Sequence, residues 1–217
     1  METKEKKQYS LHTAVRWLRR YWDSILAAWL ILFLVCGVQW HHHRQVPPTE
    51  LALRQRIVET AEQYLGCNET DGSHEKIIDF YNTYEPIPRD YKVSYVDNWC
   101  AAFGSAVALE AGLDGVIPIE CSCEQQILLF DALGDWQEDD CYLPQPGDYI
   151  YYVWDEWRKG DCTAWANHVG IVADTFGPVI KVIEGNKDDQ VGYRYIFLND
   201  ITIRGYGLPN YASAANE

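Results

Sequence analysis

A cysteine, a histidine and a carboxylate occupy places in this chain where each is equipped for attack on an amide carbonyl. Cys100 follows Asp97-Asn98-Trp99 and opens the small, apolar run CAAFGSAVALEAG. A cysteine in the first turn of a helix gains thiolate character from the helix dipole, and unpaired backbone N–H groups lie beside it to receive an oxyanion. His168 opens the apolar run HVGIVA, and Glu184 closes VIKVIE, with Gly185 and Asn186 directly after it. If those two runs pair as antiparallel strands, the start of one and the end of the next meet at the same edge. Glu184 would then face His168 and hold its ring. Singly, each residue has an ordinary structural role, the cysteine as apolar filler and the histidine as a satisfied strand residue. Together they make a nucleophile, a base and a group that orients the base.

The elements that must position these residues are legible from periodicity. Leu53, Ile57, Ala61 and Leu65 recur every four residues before Gly66, which predicts a first helix. Ser73 is the expected N-cap of a second, carrying Ile77, Ile78, Phe80 and Tyr81 and breaking before Pro86. Asp97 or Asn98 is the expected cap of a third, which holds Trp99, Cys100, Phe103, Ala106 and Val107 and ends at Gly112. Ser122 and Gln125 form a capping-box pattern for a fourth, running to about Leu133 before Gly134. The period then shortens. After the turn at Pro146-Gly147-Asp148 the runs Tyr149–Trp154, His168–Ala173, Val179–Glu184, Arg194–Phe197 and Arg204–Leu208 read as strands. Helices first and strands afterwards predict an α+β domain with a largely antiparallel sheet.

Upstream of this body, Ile25–Val38 is almost wholly apolar, is bracketed by Trp22 and Trp40, and follows the cations Lys4, Lys6, Lys7, Arg16, Arg19 and Arg20. A segment of that kind, with basic residues on one side, reads as a single transmembrane helix with its N-terminus cytoplasmic. The expected organisation is a basic arm over 1–24, an anchor over 25–40, a linker over 41–55 containing HHHRQVPP, and a folded domain over 56–217. Residues 1–44 hold seven Lys/Arg against three Asp/Glu, which leaves eleven against twenty-nine in the remainder. So acidic an exported part repels nucleic acid, and no basic stripe interleaved with aromatics offsets this. Cys121 and Cys123 have no matching pair or histidine cluster for zinc, and neither a metal nor a cofactor is expected. Seven cysteines cannot all pair, and the sequence assigns no disulfide. Loop 155–166, with Trp157 and Trp165, reads equally as a wall of a substrate groove or as a solvated loop.

Four of these segments in this order, DNWCAAFGSAVALEAG, QPGDYIYY, NHVGIV and VIKVIEGN, resemble the cysteine, histidine-dependent amidohydrolase/peptidase (CHAP) domain of the papain-like, NlpC-type cell-wall hydrolases. The resemblance covers roughly residues 56–211. It implies a papain-like α+β fold, with helices packed on an antiparallel sheet. It also implies Cys100 as nucleophile, His168 as general base and later acid, Glu184 as the group orienting the imidazole, and Asn186 as a fourth, supporting polar member. Asn98 and Gly104 depart from the residues common in the family, which puts the packing of that helix in question. The implied activity is hydrolysis of an amide bond in the peptide of peptidoglycan, as an endopeptidase or an N-acetylmuramoyl-L-alanine amidase, outside the membrane that holds the anchor. The alternative is a catalytically silent or amide-forming module on the same fold, anchored at the cell surface in a secretion or wall-assembly complex.

Overall fold

In the computed structural model the structure describes residues 47–139, 141–154 and 164–215, together with Ala27 and Leu30. The expected basic arm, the expected anchor apart from Ala27 and Leu30, and most of loop 155–166 lie outside the described residues. Among the described residues no helix is long and apolar enough to cross a membrane.

Helix α1 (Pro48–Glu62) begins inside the stretch expected to be linker. The reason is local: Pro48 at the first helical position has a preset φ, and its missing N–H is one the first turn leaves unpaired anyway. The helix buries Ile57, Val58 and Ala61. Helix α2 (Glu75–Tyr81) buries Ile77, Ile78 and Tyr81, but its N-cap is His74 rather than Ser73. The Ser73 hydroxyl instead accepts the Asn68 N–H at 2.9 Å and closes the preceding turn. Helix α3 (Cys100–Glu110) is buried from Cys100 to Ala108. Its alanines, glycine and serine let neighbouring elements approach on every side, so it forms the centre of the domain rather than an amphipathic face. Gly104 shows why a larger residue is absent. A Cβ there would lie 2.9 Å from the Tyr149 ring, whose hydroxyl donates to the Gly104 carbonyl at 2.7 Å. Helix α4 (Cys123–Leu133) starts and stops as the sequence predicts, with Ser122 accepting from the Gln125 N–H and Gly134 in the left-handed region at φ 79°.

The strands are β1 (Trp136–Gln137), β2 (Tyr149–Tyr152), β3 (His168–Phe176), β4 (Val179–Lys187), β5 (Gln190–Phe197) and β6 (Ile203–Gly207). They form one six-stranded sheet in the order β1-β6-β2-β3-β4-β5, and every pairing is antiparallel. A short helix, α5 (Tyr211–Ala214), follows. The α+β class and the antiparallel sheet are as expected. β2 is buried at all four positions because both faces are covered. Tyr149 and Tyr151 pack among the residues of the helices, while Ile150 and Tyr152 join Val172, Ile180, Val182, Ile196 and Tyr206 in a second cluster.

β4 passes very close to α3. A Cβ on Gly185 would lie 2.5 Å from Phe103 Cβ and 2.9 Å from the Trp99 ring, both buried groups. Gly185→Ala is therefore expected to destabilise the fold by about 1–3 kcal/mol through overpacking. The urea unfolding midpoint would fall with no change in slope; an unaltered midpoint would show that this approach is not tight.

Candidate active site

Cys100 is the first residue of α3, and Trp99, its N-cap, supplies no side-chain hydrogen bond to the first turn. This corrects the expectation of an Asp97 or Asn98 cap. Asp97 is engaged elsewhere, accepting from the Ser94 N–H and the Tyr91 hydroxyl, both at 2.8 Å. An uncapped first turn leaves its N–H groups facing the cysteine, where they favour negative charge. Trp99 is itself fixed, with its indole N–H donating to Glu69 at 2.9 Å and its side chain wholly buried.

His168 is the first residue of β3 and pairs across to Tyr152 of β2. Asn167, immediately before it, donates its N–H to the Tyr152 carbonyl at 3.0 Å and accepts the Trp154 N–H at 3.0 Å. The entry to the strand is thereby clamped. The imidazole lies over the Tyr152 ring at 5.9 Å between centroids, and Tyr152 stacks on Trp154 at 4.7 Å. His168 Nε2 is 3.1 Å from Glu184 Oε2. Glu184 can reach it because Gly170 stands between them: a Cβ there would come within 2.7 Å of Glu184 Cγ. With Nε2 engaged by the carboxylate, Nδ1 is the ring nitrogen left for Cys100, and the thiol and the imidazole each influence the other's proton affinity.

Three side chains at this site were not anticipated from the sequence. Arg194 of β5 donates from Nε to both Glu184 oxygens, at 2.7 and 2.9 Å, and its guanidinium lies 4.5 Å from the centroid of Trp154. Glu184, fully buried, is thus held between a cation and the imidazole. Tyr152 supplies the flat surface beneath the histidine. The third is Cys123, whose Sγ is 3.7 Å from Cys100 Sγ. The available signals were an arginine in the strand after VIKVIE, a tyrosine-rich strand, and a cysteine next to a helix cap.

Asn186, expected as a fourth, supporting polar member, lies two residues beyond Glu184 in β4. It sits at the irregularity of β4 between Glu184 and Lys187, with φ 54°, and its amide donates to Asn98 Oδ1 at 3.4 Å. Its contact is therefore with the approach to Cys100.

The electrostatics follow from these neighbours. The Cys123 S–H beside Cys100 is the largest influence holding its thiol well below the ordinary range. It is aided by the His168 ring and the Ala101 N–H and opposed by burial. Burial alone would lower His168, but hydrogen bonds and charge from Cys100 and Glu184 outweigh it and push the imidazole up to about 9. The thiol is thus held down and the imidazole held up, which favours a thiolate–imidazolium pair. Alkylation of Cys100 by iodoacetamide should already be fast at a pH where an ordinary thiol, with pKa about 8.5, is protonated. His168→Ala should move the alkylation profile upward toward that ordinary value. A wild-type profile that already follows an unperturbed thiol would contradict the ion pair.

A buried nucleophile at a helix start, a base stacked on an aromatic face and a carboxylate behind the base can open an amide by thiol attack. Among the described residues no group of histidine, cysteine and carboxylate side chains is arranged to hold a metal ion. Comparisons with protein-family models, with curated proteins and with solved structures find no match to this chain.

Proposed function

We propose that the chain is a papain-like cysteine amidohydrolase of the CHAP type that cleaves an amide bond in the peptide of peptidoglycan. The single observation that carries this reading is the arrangement of Cys100, His168 and Glu184. The Cys100 thiol and the His168 imidazole influence each other's proton affinity, and His168 Nε2 is 3.1 Å from a buried Glu184 that Arg194 grips with two hydrogen bonds. In the reaction the Cys100 thiolate attacks the carbonyl carbon, and the Cys100 backbone N–H receives the oxyanion. The His168 imidazolium gives its Nδ1 proton to the departing amine. A water then loses a proton to His168 and cleaves the thioester, restoring the thiolate. Glu184 keeps Nε2 as a donor and stabilises the ring when it is charged, and Arg194 keeps Glu184 aimed. The substrate class rests on the resemblance of the four sequence segments. The acidic body and the apolar segment over 25–40 support work outside the cell, from a membrane tether.

Incubating the full chain with purified peptidoglycan and measuring both new amines and new reducing sugars tests the reaction class. Amines released without reducing sugars are the expected result. New reducing ends without amines would place the cleavage in the glycan and exclude a thiol amidase. Hydrolysis should also decline as pH rises through about 9, because the imidazolium that protonates the leaving amine is then lost. A rate still rising above that point would show that His168 is not the acid.

A further inference from the structure

We propose that Cys100 and Cys123 form an oxidisable dithiol, in which a hydroperoxide converts the two thiols to a disulfide that switches the site off reversibly. The proposal rests on the geometry around the second sulfur, which the hydrolytic steps do not use. Cys100 is the first residue of α3 and Cys123 the first of α4, and both helices have 11 residues. Two helix N-termini therefore converge on two sulfurs only 3.7 Å apart, at residues 5% and 7% exposed. Each N-terminus favours negative charge, so the pair is suited to sharing one proton as a thiol donating to a thiolate.

The neighbouring segment holds the second sulfur there. The buried Ser105 hydroxyl of α3 donates to the Glu120 carbonyl at 2.7 Å and accepts the Glu120 N–H at 2.9 Å. The Glu120 carboxylate folds back to accept the Cys121 and Ser122 N–H groups at 2.7 and 3.0 Å and is gripped by Arg89. On the far side, Glu124 accepts the Ala166 N–H at 3.0 Å, which ties the first turn of α4 to the segment leading into His168. Cys123 is thus fixed against Cys100 by two separate sets of bonds. A disulfide needs the sulfurs to close from 3.7 Å to about 2.05 Å.

The chemistry balances with a hydroperoxide as the only oxidant. The Cys100 thiolate attacks one peroxide oxygen, the O–O bond breaks, and the departing hydroxide takes a proton, which His168 is placed to give. The products are a Cys100 sulfenic acid and water. The Cys123 sulfur then attacks the Cys100 sulfur, the S–O bond breaks, and the hydroxide leaves as water with the proton from Cys123. Two thiols lose two electrons and two protons, and one peroxide becomes two waters. Capture by Cys123 removes the sulfenic acid before a second peroxide can carry it to the irreversible sulfinic acid. A small dithiol returns both thiols by exchange.

The test uses the full chain, reduced, freed of reductant and exposed to hydrogen peroxide. Remaining thiols are capped with N-ethylmaleimide and the protein is mapped by mass spectrometry. The expected result is a Cys100–Cys123 linked peptide lighter by two hydrogens, with complete loss of Cys100 alkylation that dithiothreitol restores. Cys123→Ser should instead leave a Cys100 sulfenic acid that dimedone traps and that proceeds to sulfinic acid, with no recovery. The proposal is overturned if wild-type Cys100 accumulates as sulfenic or sulfinic acid with Cys123 still free. It is equally overturned if Cys100 links to another cysteine, or if both thiols survive the peroxide. None of these readouts depends on hydrolysis of peptidoglycan, so failure here and failure of the hydrolase reading are distinguishable.

Discussion

Replacing His168 with alanine is expected to reduce peptidoglycan hydrolysis by at least about 10²–10⁴-fold, the usual contribution of a positioned acid–base group. The loss should reach the upper part of that range because the imidazole serves twice, first to hold Cys100 as a thiolate and then to protonate the leaving amine. His168→Ala should therefore raise the pH at which Cys100 alkylates as well as slow turnover, whereas a purely structural histidine would not couple the two. Glu184→Gln keeps the side chain's shape but removes the charge that Arg194 and the imidazole share. It should retain more activity than His168→Ala while lowering the pH at which His168 deprotonates. The variants must first give the wild-type circular dichroism spectrum, since both residues are buried.

The largest effect on stability is expected from Asp148→Ala, at about 3–5 kcal/mol. Asp148 is fully buried at the start of β2, and burial pushes its carboxyl pKa up. It is kept in place by Arg54 Nη1 at 2.8 Å, the Tyr142 hydroxyl at 2.6 Å and the Gln145 N–H at 2.8 Å. Arg54 comes from α1, is itself buried, and lies over the ring of Tyr211 from α5. The substitution leaves a buried guanidinium with Glu50 as its remaining acid partner, at 2.9 Å. For a domain of this size the melting temperature should fall by roughly 6–20 °C. The paired change Arg54→Leu with Asp148→Ala should cost less than Asp148→Ala alone, because an apolar pair avoids the desolvation that the single variant leaves uncompensated. Calorimetry of the three proteins decides it, and a double variant less stable than the single one would contradict this reading of the pair.

The turn QPGDYIYY thus serves the architecture rather than the chemistry. Its glycine, at φ 89°, lets the Tyr211 hydroxyl reach the Gly147 carbonyl at 2.7 Å, and its aspartate ties in α1. What could be read from the sequence was whatever depends on local order. The placing of Cys100 in the first turn of a helix, the capped start of α4 at Ser122 and the antiparallel meeting of His168 with Glu184 all follow from residue type and spacing. What could not be read depends on register and on chain reversal. Arg194 reaches Glu184 because it pairs with Val182 across the sheet, which places its side chain beside the carboxylate two residues on. Cys123 reaches Cys100 only because the segment around Glu120 folds onto Ser105. The contact of Asn186 with Asn98 likewise depends on the irregularity in β4 after Glu184. The caps at Ser73 and Asp97 failed for a simpler reason: short polar side chains also satisfy turn N–H groups, and there the turn prevailed.

The most direct test of a Cys100 mechanism is the rate at which Cys100→Ala releases amines from peptidoglycan, measured beside the wild-type chain at equal concentration and neutral pH. The expected result is no release above that of peptidoglycan in buffer alone, with Cys123 intact and unable to replace the missing thiol. Release at the wild-type rate would show that the bond is broken without Cys100 and would contradict the proposed function.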